Sequence, residues 1–161
     1  MFYKFATGAL VAALLAVAAP SFAVTIVQEV KVAVDAAALE NNKAAAHWAT
    51  LSGDLSTAIV KRLPNGVSEG GAMIDIAIDS LSLANSLQAA TGTAESWLMG
   101  SVKVSGIGSD PAQSYDLAVS FADAGPFFPE GTDLTKITTD SREYYTAMLA
   151  AFADHVVAKL N

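Results

Sequence analysis

Ala72-Met73-Ile74-Asp75-Ile76-Ala77-Ile78-Asp79 is the stretch that decides the fold. Three isoleucines at every second position point one way, while Met73, Asp75, Ala77 and Asp79 point the other. Successive side chains of a strand face opposite sides, so this period of two describes a strand with one buried face and one open face. After Asp79 the pattern changes phase, because Leu81 and Leu83 are apolar in place of positions 80 and 82. One extra residue does that, and a bulge or bend is expected near Ser80.

The same alternation recurs on both sides. Trp97 to Val104 sets Leu98, Gly100, Val102 and Val104 against Trp97, Met99, Ser101 and Lys103. Gly106-Ile107-Gly108-Ser109-Asp110-Pro111 is a run of turn formers. Gln113 to Phe121 then aligns Tyr115, Leu117, Val119 and Phe121, so these two strands are expected to form a hairpin. Upstream, Val24 to Asp35 sets Val24, Ile26, Gln28, Val30, Val32 and Val34 against a more polar set, and Gln28 on the apolar side marks an edge position.

Two segments switch to helical spacing. From about Lys43 to Leu63, Trp48, Leu51, Leu55, Ile59 and Leu63 recur every three or four residues and form one stripe. Lys61 and Arg62 suit the negative end of that helix, and Pro64-Asn65-Gly66 stops it. Gly53 inside it costs about 1 kcal/mol relative to alanine and is read as a close approach or a kink. Just before it, Ala36 to Ala46 has good helix propensity but is interrupted by Asn41-Asn42, and Ala84 to Thr93 reads as a loop. After a long connection from Ala122 to Thr139, Asp140 fits an N-cap with Glu143 completing a box. Tyr145, Met148, Leu149, Phe152, Val156 and Leu160 make the second stripe. The order β-α-β-β-β-α predicts an α+β two-layer sandwich, with a sheet of about four strands and two amphipathic helices on one face. The first strand, helix and second strand are expected to form a right-handed parallel crossover.

Residues 1–23 read as a signal peptide, leaving one exported domain, 24–161. Lys4 supplies the positive end, Phe5 to Ala19 the apolar run, and Pro20 breaks the helix before Ser21-Phe22-Ala23. Small side chains at Ser21 and Ala23 place cleavage between Ala23 and Val24. An uncleaved anchor is the competing reading, but the run falls short of the roughly 20 residues that span a bilayer. No later window reaches transmembrane length without a charge or a turn former. The expected destination is the bacterial periplasm, as a soluble chain without a membrane span after cleavage.

Composition narrows the partners. The formal charge is −7, and Lys4 departs with the leader, which makes the exported chain more acidic still. Nucleic acid needs a basic face and is not expected as a partner, and anionic lipid headgroups are disfavoured for the same reason. The chain has no cysteine, which excludes disulfides, thiolate metal sites and lipid attachment to an N-terminal cysteine.

A catalytic set is not expected, nor a cofactor or metal. His47 and His155 are the only imidazoles, and neither has a histidine at metal-ligand spacing. There is no Gly-x-Ser-x-Gly elbow and no Ser-x-x-Lys, and Gly66, Gly70 and Gly71 precede a strand rather than a phosphate-binding helix. Asp75 and Asp79 lie about 13 Å apart by strand rise, too far for a paired-carboxylate mechanism, and read as solvated. Asp123, Glu130, Asp133 and Asp140 bracket the long connection but lack the spacing of a dedicated calcium loop.

Asp54-Leu-Ser-Thr-Ala-Ile-Val-Lys-Arg-Leu63, Gly71-Ala-Met-Ile-Asp-Ile-Ala-Ile-Asp79 and Gly100-Ser-Val-Lys-Val104, in that order behind an export signal, resemble the small periplasmic α/β domains of bacterial envelope accessory proteins. That group includes auxiliary lipoproteins of envelope transporters, from which the chain departs in having no cysteine to lipidate. The resemblance implies an accessory or binding role and no catalytic residues. The expected function is a non-enzymatic exported domain that binds a protein or envelope component. Its candidate contacts are Met73, Trp97 and Met99 on the open face, with Phe127 and Phe128 between two prolines in the long connection. The alternative is a carrier of a small apolar ligand, in a pocket between sheet and helices lined by Tyr115, Phe121, Tyr145 and Phe152.

Overall fold

The computed structural model describes residues 25–35, 37, 46–82, 96–106, 111–139 and 141–160. The expected signal peptide, the expected strand start at Val24, nearly all of the alanine-rich stretch from Ala36, the segment 84–93 read as a loop, the turn formers 107–110 and Asp140 lie outside them. Four strands form one mixed sheet in the order β1-β2-β3-β4: β1 (Val27–Val34), β2 (Ala72–Ser82), β3 (Trp97–Ser105) and β4 (Gln113–Ser120). β1 and β2 are parallel, as a crossover requires, and the other two pairings are antiparallel, with β3 and β4 forming the expected hairpin. The α-helices are α1 (Leu51–Arg62), the short α2 (Phe121–Ala124) and α3 (Arg142–Ala158). The architecture is the expected α+β sandwich, and no described helix is long and apolar enough to cross a membrane.

The alternation in β2 behaves as its chemistry dictates. Ile74, Ile76 and Ile78 are buried, and each such side chain contributes about 1.5–3 kcal/mol relative to exposure. The register shifts between Ile78 and Ser80, which is the bulge expected there, and Leu81 is buried beyond it. Gly100 faces this bulge. A Cβ on Gly100 would stand 2.6 Å from the Ala77 carbonyl oxygen, so the strands can close here only around glycine. The Trp48-to-Leu63 stripe and the stripe of α3 are buried against the sheet and each other.

Four local readings are corrected. A second register shift, between Val27 and Glu29, moves the apolar phase of β1: Val27 is buried while Ile26 is exposed. Gln28 is the extra residue, and its Oε1 accepts from Gly70 N at 3.2 Å. Of the two readings of Gly53, the close approach is corrected, since a Cβ there would meet nothing within 4 Å. β4 ends at Ser120 rather than Phe121, because Ser120 caps α2: its hydroxyl accepts from Asp123 N, and the Asp123 carboxylate accepts from Ser120 N at 2.9 Å. The N-cap of α3 is Ser141, one residue beyond the expected Asp140, and its hydroxyl accepts from Tyr144 N at 3.1 Å.

Candidate functional site

The helices cover one face of the sheet, and the other face has no covering layer among the described residues. Its composition follows from the register. Residues directly opposite in neighbouring strands share a face, so the open face consists of rungs that run across the sheet. One rung is Lys31–Asp75–Lys103–Ser114, and the next is Ala33–Ala77–Ser101–Asp116. Towards the start of β3 follow Ser80–Met99–Ala118 and Ser82–Trp97–Ser120. Charges of alternating sign stand beside a floor of small side chains, and this floor is the bottom of a trough of about 690 Å³ lined by Lys31, Asp75, Lys103 and Asp116. Asp75 therefore has a lysine opposite it on either side, one from β1 and one from β3. Lys31 also reaches Glu29 at 3.1 Å, an exposed pair of small energetic weight.

Trp97 and Met99 project from β3 two residues apart on this face and are 43% and 36% exposed. Met73 shares the face but lies opposite Ser105, at the far end of β3 from Trp97. At about 3.3 Å per residue that is roughly 26 Å away. The structure thus brings together Trp97 and Met99, and separates Met73 from both. Phe127 and Phe128 are half-buried against the core on the helix side. Phe128 packs edge-on to Phe121 at 5.6 Å, and Phe121 stacks on Tyr144 of α3 at 5.6 Å. The two phenylalanines consequently belong to the helical layer and not to the open face.

The four residues of the alternative pocket all belong to the one hydrophobic core, each with neighbours of its own. Phe121 sits in the cluster just described, and Phe152 is fully buried. Tyr145 packs edge-on to Trp48 at 5.0 Å, and Tyr115 lies beneath the Lys159 ammonium at 5.9 Å from its ring centre.

Several other polar groups among the described residues have structural tasks. Asp54 Oδ2 accepts from Thr50 Oγ1 at 2.6 Å and from the Tyr145 hydroxyl at 2.7 Å, joining α1 to α3. The Thr50 hydroxyl, and after it that of Tyr145, holds the Asp54 carboxyl below the usual carboxylate range. Burial, and then the Asp54 hydrogen bond, pushes the Tyr145 phenol up. Asp123 is lowered by the Ser120 backbone N–H and then by its hydroxyl, and Asp133 turns to Thr135 and Lys136. Asp79 occupies the β2 bulge with no partner position on β3, so it and Asp75 do not form a facing pair. His155 Nδ1 lies 2.8 Å from the Ala151 carbonyl oxygen, one turn back on its own helix, and the His47 side chain is outside the described residues. Among the described residues no three His, Cys, Asp or Glu side chains gather in a way that could hold a metal ion.

Sequence reasoning missed Lys31, Lys103 and Asp116 as site residues. Their alternation placed Lys31 and Lys103 on outward sets, but only the register shows that Lys31, Asp75 and Lys103 share a rung.

Comparison with protein-family models, with curated proteins and with solved structures finds no match.

Proposed function

We propose that this chain is an exported, non-enzymatic accessory domain that acts by binding a protein through the open face of its sheet. The observation that carries the reading is the exposure of Trp97 and Met99, adjacent on a strand face where alternation reserves positions for polar side chains. Large apolar side chains standing together in water mark contact surfaces more often than isolated ones do. The trough beside them adds charges of both signs for orientation, which suits recognition of a folded partner. Export through the N-terminal segment, with cleavage after Ala23, places this work in the periplasm and fits the resemblance to envelope accessory domains. The lack of a lipidation cysteine fits release from the membrane.

The test is site-specific photo-crosslinking in intact cells. A photoreactive residue replacing Met99 should capture a protein adduct, and the same residue replacing the exposed Ala158 of α3 should not. Equal capture at the two positions, or none at Met99, contradicts the reading.

A further inference from the structure

The partner of the open face can be named from its own register. We propose that it is a second copy of this chain, packed face to face about a two-fold axis that runs along the strands between β2 and β3. This rests on the open face being the binding surface, and identifies what binds there.

Such an axis lays β2 of one copy over β3 of the other, and each β3 residue then meets its own register partner from the second copy. Asp75 is paired with Lys103 within the sheet, so each Asp75 would face the second copy's Lys103. The four side chains form a square of alternating sign, in which every charge has two opposite neighbours. The same operation sets large against small elsewhere: Trp97 over the second copy's Ser82, and Met99 over its Ser80. A two-fold interface must be complementary to itself, and this face meets that condition in both charge and size. An in-plane axis across the strands, through the Ala77–Ser101 rung, does not: it would set Met99 over the second copy's Lys103.

The size of the contact sets the strength. Four strands about 4.8 Å apart, each some nine residues long, present roughly 500 Å² per copy, or about 1,000 Å² in the pair. That is the lower edge of specific interfaces, so the dimer should be reversible and concentration-dependent. The net negative charge of the chain also opposes association.

Sedimentation of the chain, purified after expression with its own N-terminal segment, provides the test. The chain should move reversibly between monomer and dimer. Asp75→Lys and Lys103→Asp should each weaken the dimer by about tenfold or more, since like charges would then meet across the axis. The double swap Asp75→Lys/Lys103→Asp restores the alternating square and should recover affinity to within about threefold. Circular dichroism identifies any variant that fails to fold. A cross-link independent of the charges covers that case: the chain has no cysteine of its own, so Ala77→Cys should be joined to its copy by a short bismaleimide, and Ala158→Cys should not. A chain that stays monomeric at millimolar concentration, a dimer indifferent to the charge reversals, or equal cross-linking at both positions overturns the proposal. If the dimer fails while a photoreactive residue at Met99 still captures a different protein, the binding face stands and only the identity of its occupant falls.

Discussion

The Ser52 hydroxyl donates to the Val32 carbonyl at 2.6 Å, and one helical turn later the Ser56 hydroxyl donates to the Val30 carbonyl at 3.1 Å. Four helix residues rise about 6 Å and two strand residues about 6.6 Å, so the spacings match. α1 therefore closes two acceptors on the outer edge of β1, the kind of edge that otherwise invites pairing with another chain. Each bond is worth about 0.5–1.5 kcal/mol net. Ser52→Ala/Ser56→Ala should lose about 1–3 kcal/mol of unfolding free energy in urea titration, and should aggregate sooner on warming. A double variant as stable as the parent would show that the edge is closed by other means.

Two glycines should respond to alanine with opposite sign. Gly100→Ala drives a Cβ to 2.6 Å from the Ala77 carbonyl oxygen, and the backbone must move, at a cost of about 1–3 kcal/mol. Gly53→Ala places a Cβ in open space within α1 and should gain up to about 1 kcal/mol from helix propensity. Thermal melts of the pair read this directly, and a neutral Gly100→Ala would mean that the bulge at Ser80 relaxes to absorb it.

Stability should fall at both ends of the pH scale through the link between α1 and α3. The Asp54 carboxyl is held low by Thr50 and Tyr145, so its contribution is complete above the unfolded value of about 3.9 and is lost as pH falls through the lower folded value. The Tyr145 phenol is held high by burial and by Asp54. Its contribution is complete below the unfolded value of about 10 and is lost as pH rises towards the folded one. Asp54→Asn should flatten part of the acid limb of a plot of Tm against pH. Asp123, lowered by its cap, supplies another part of that limb.

What the sequence made legible was what periodicity controls. The isoleucines of β2, the bulge near Ser80 and the stripe from Trp48 to Leu63 announce themselves because burial selects one side chain in two, or one in three or four. The shift at Gln28 was not legible, because Ile26 and Val27 are both apolar and either phase fits. Asp140 and Ser141 are both good caps, and only the backbone decides between them. Tyr145 and Asp54 stand 91 residues apart, and no local pattern links them. The open face was half legible: alternation found Trp97 and Met99, but grouped Met73 with them because strand register, which separates Met73 by the length of β3, leaves no trace in alternation.

Apolar exposure on the open face should be removable at little cost to the fold. Trp97→Ser and Met99→Ser delete side chains that are substantially in water, so each should change stability by less than about 1 kcal/mol while weakening association. A large drop in Tm for either variant would assign these residues to the core and not to a contact surface.

The central claim, that the open face is a binding surface, is tested most directly by hydroxyl-radical footprinting of the chain inside cells and again as a dilute purified monomer. Leu134, 41% exposed on the connection between α2 and α3, serves as the internal reference. Oxidation of Trp97 and Met99 should fall several-fold inside cells, while that of Leu134 stays constant. Equal oxidation of Trp97 and Met99 in the two settings would contradict the claim.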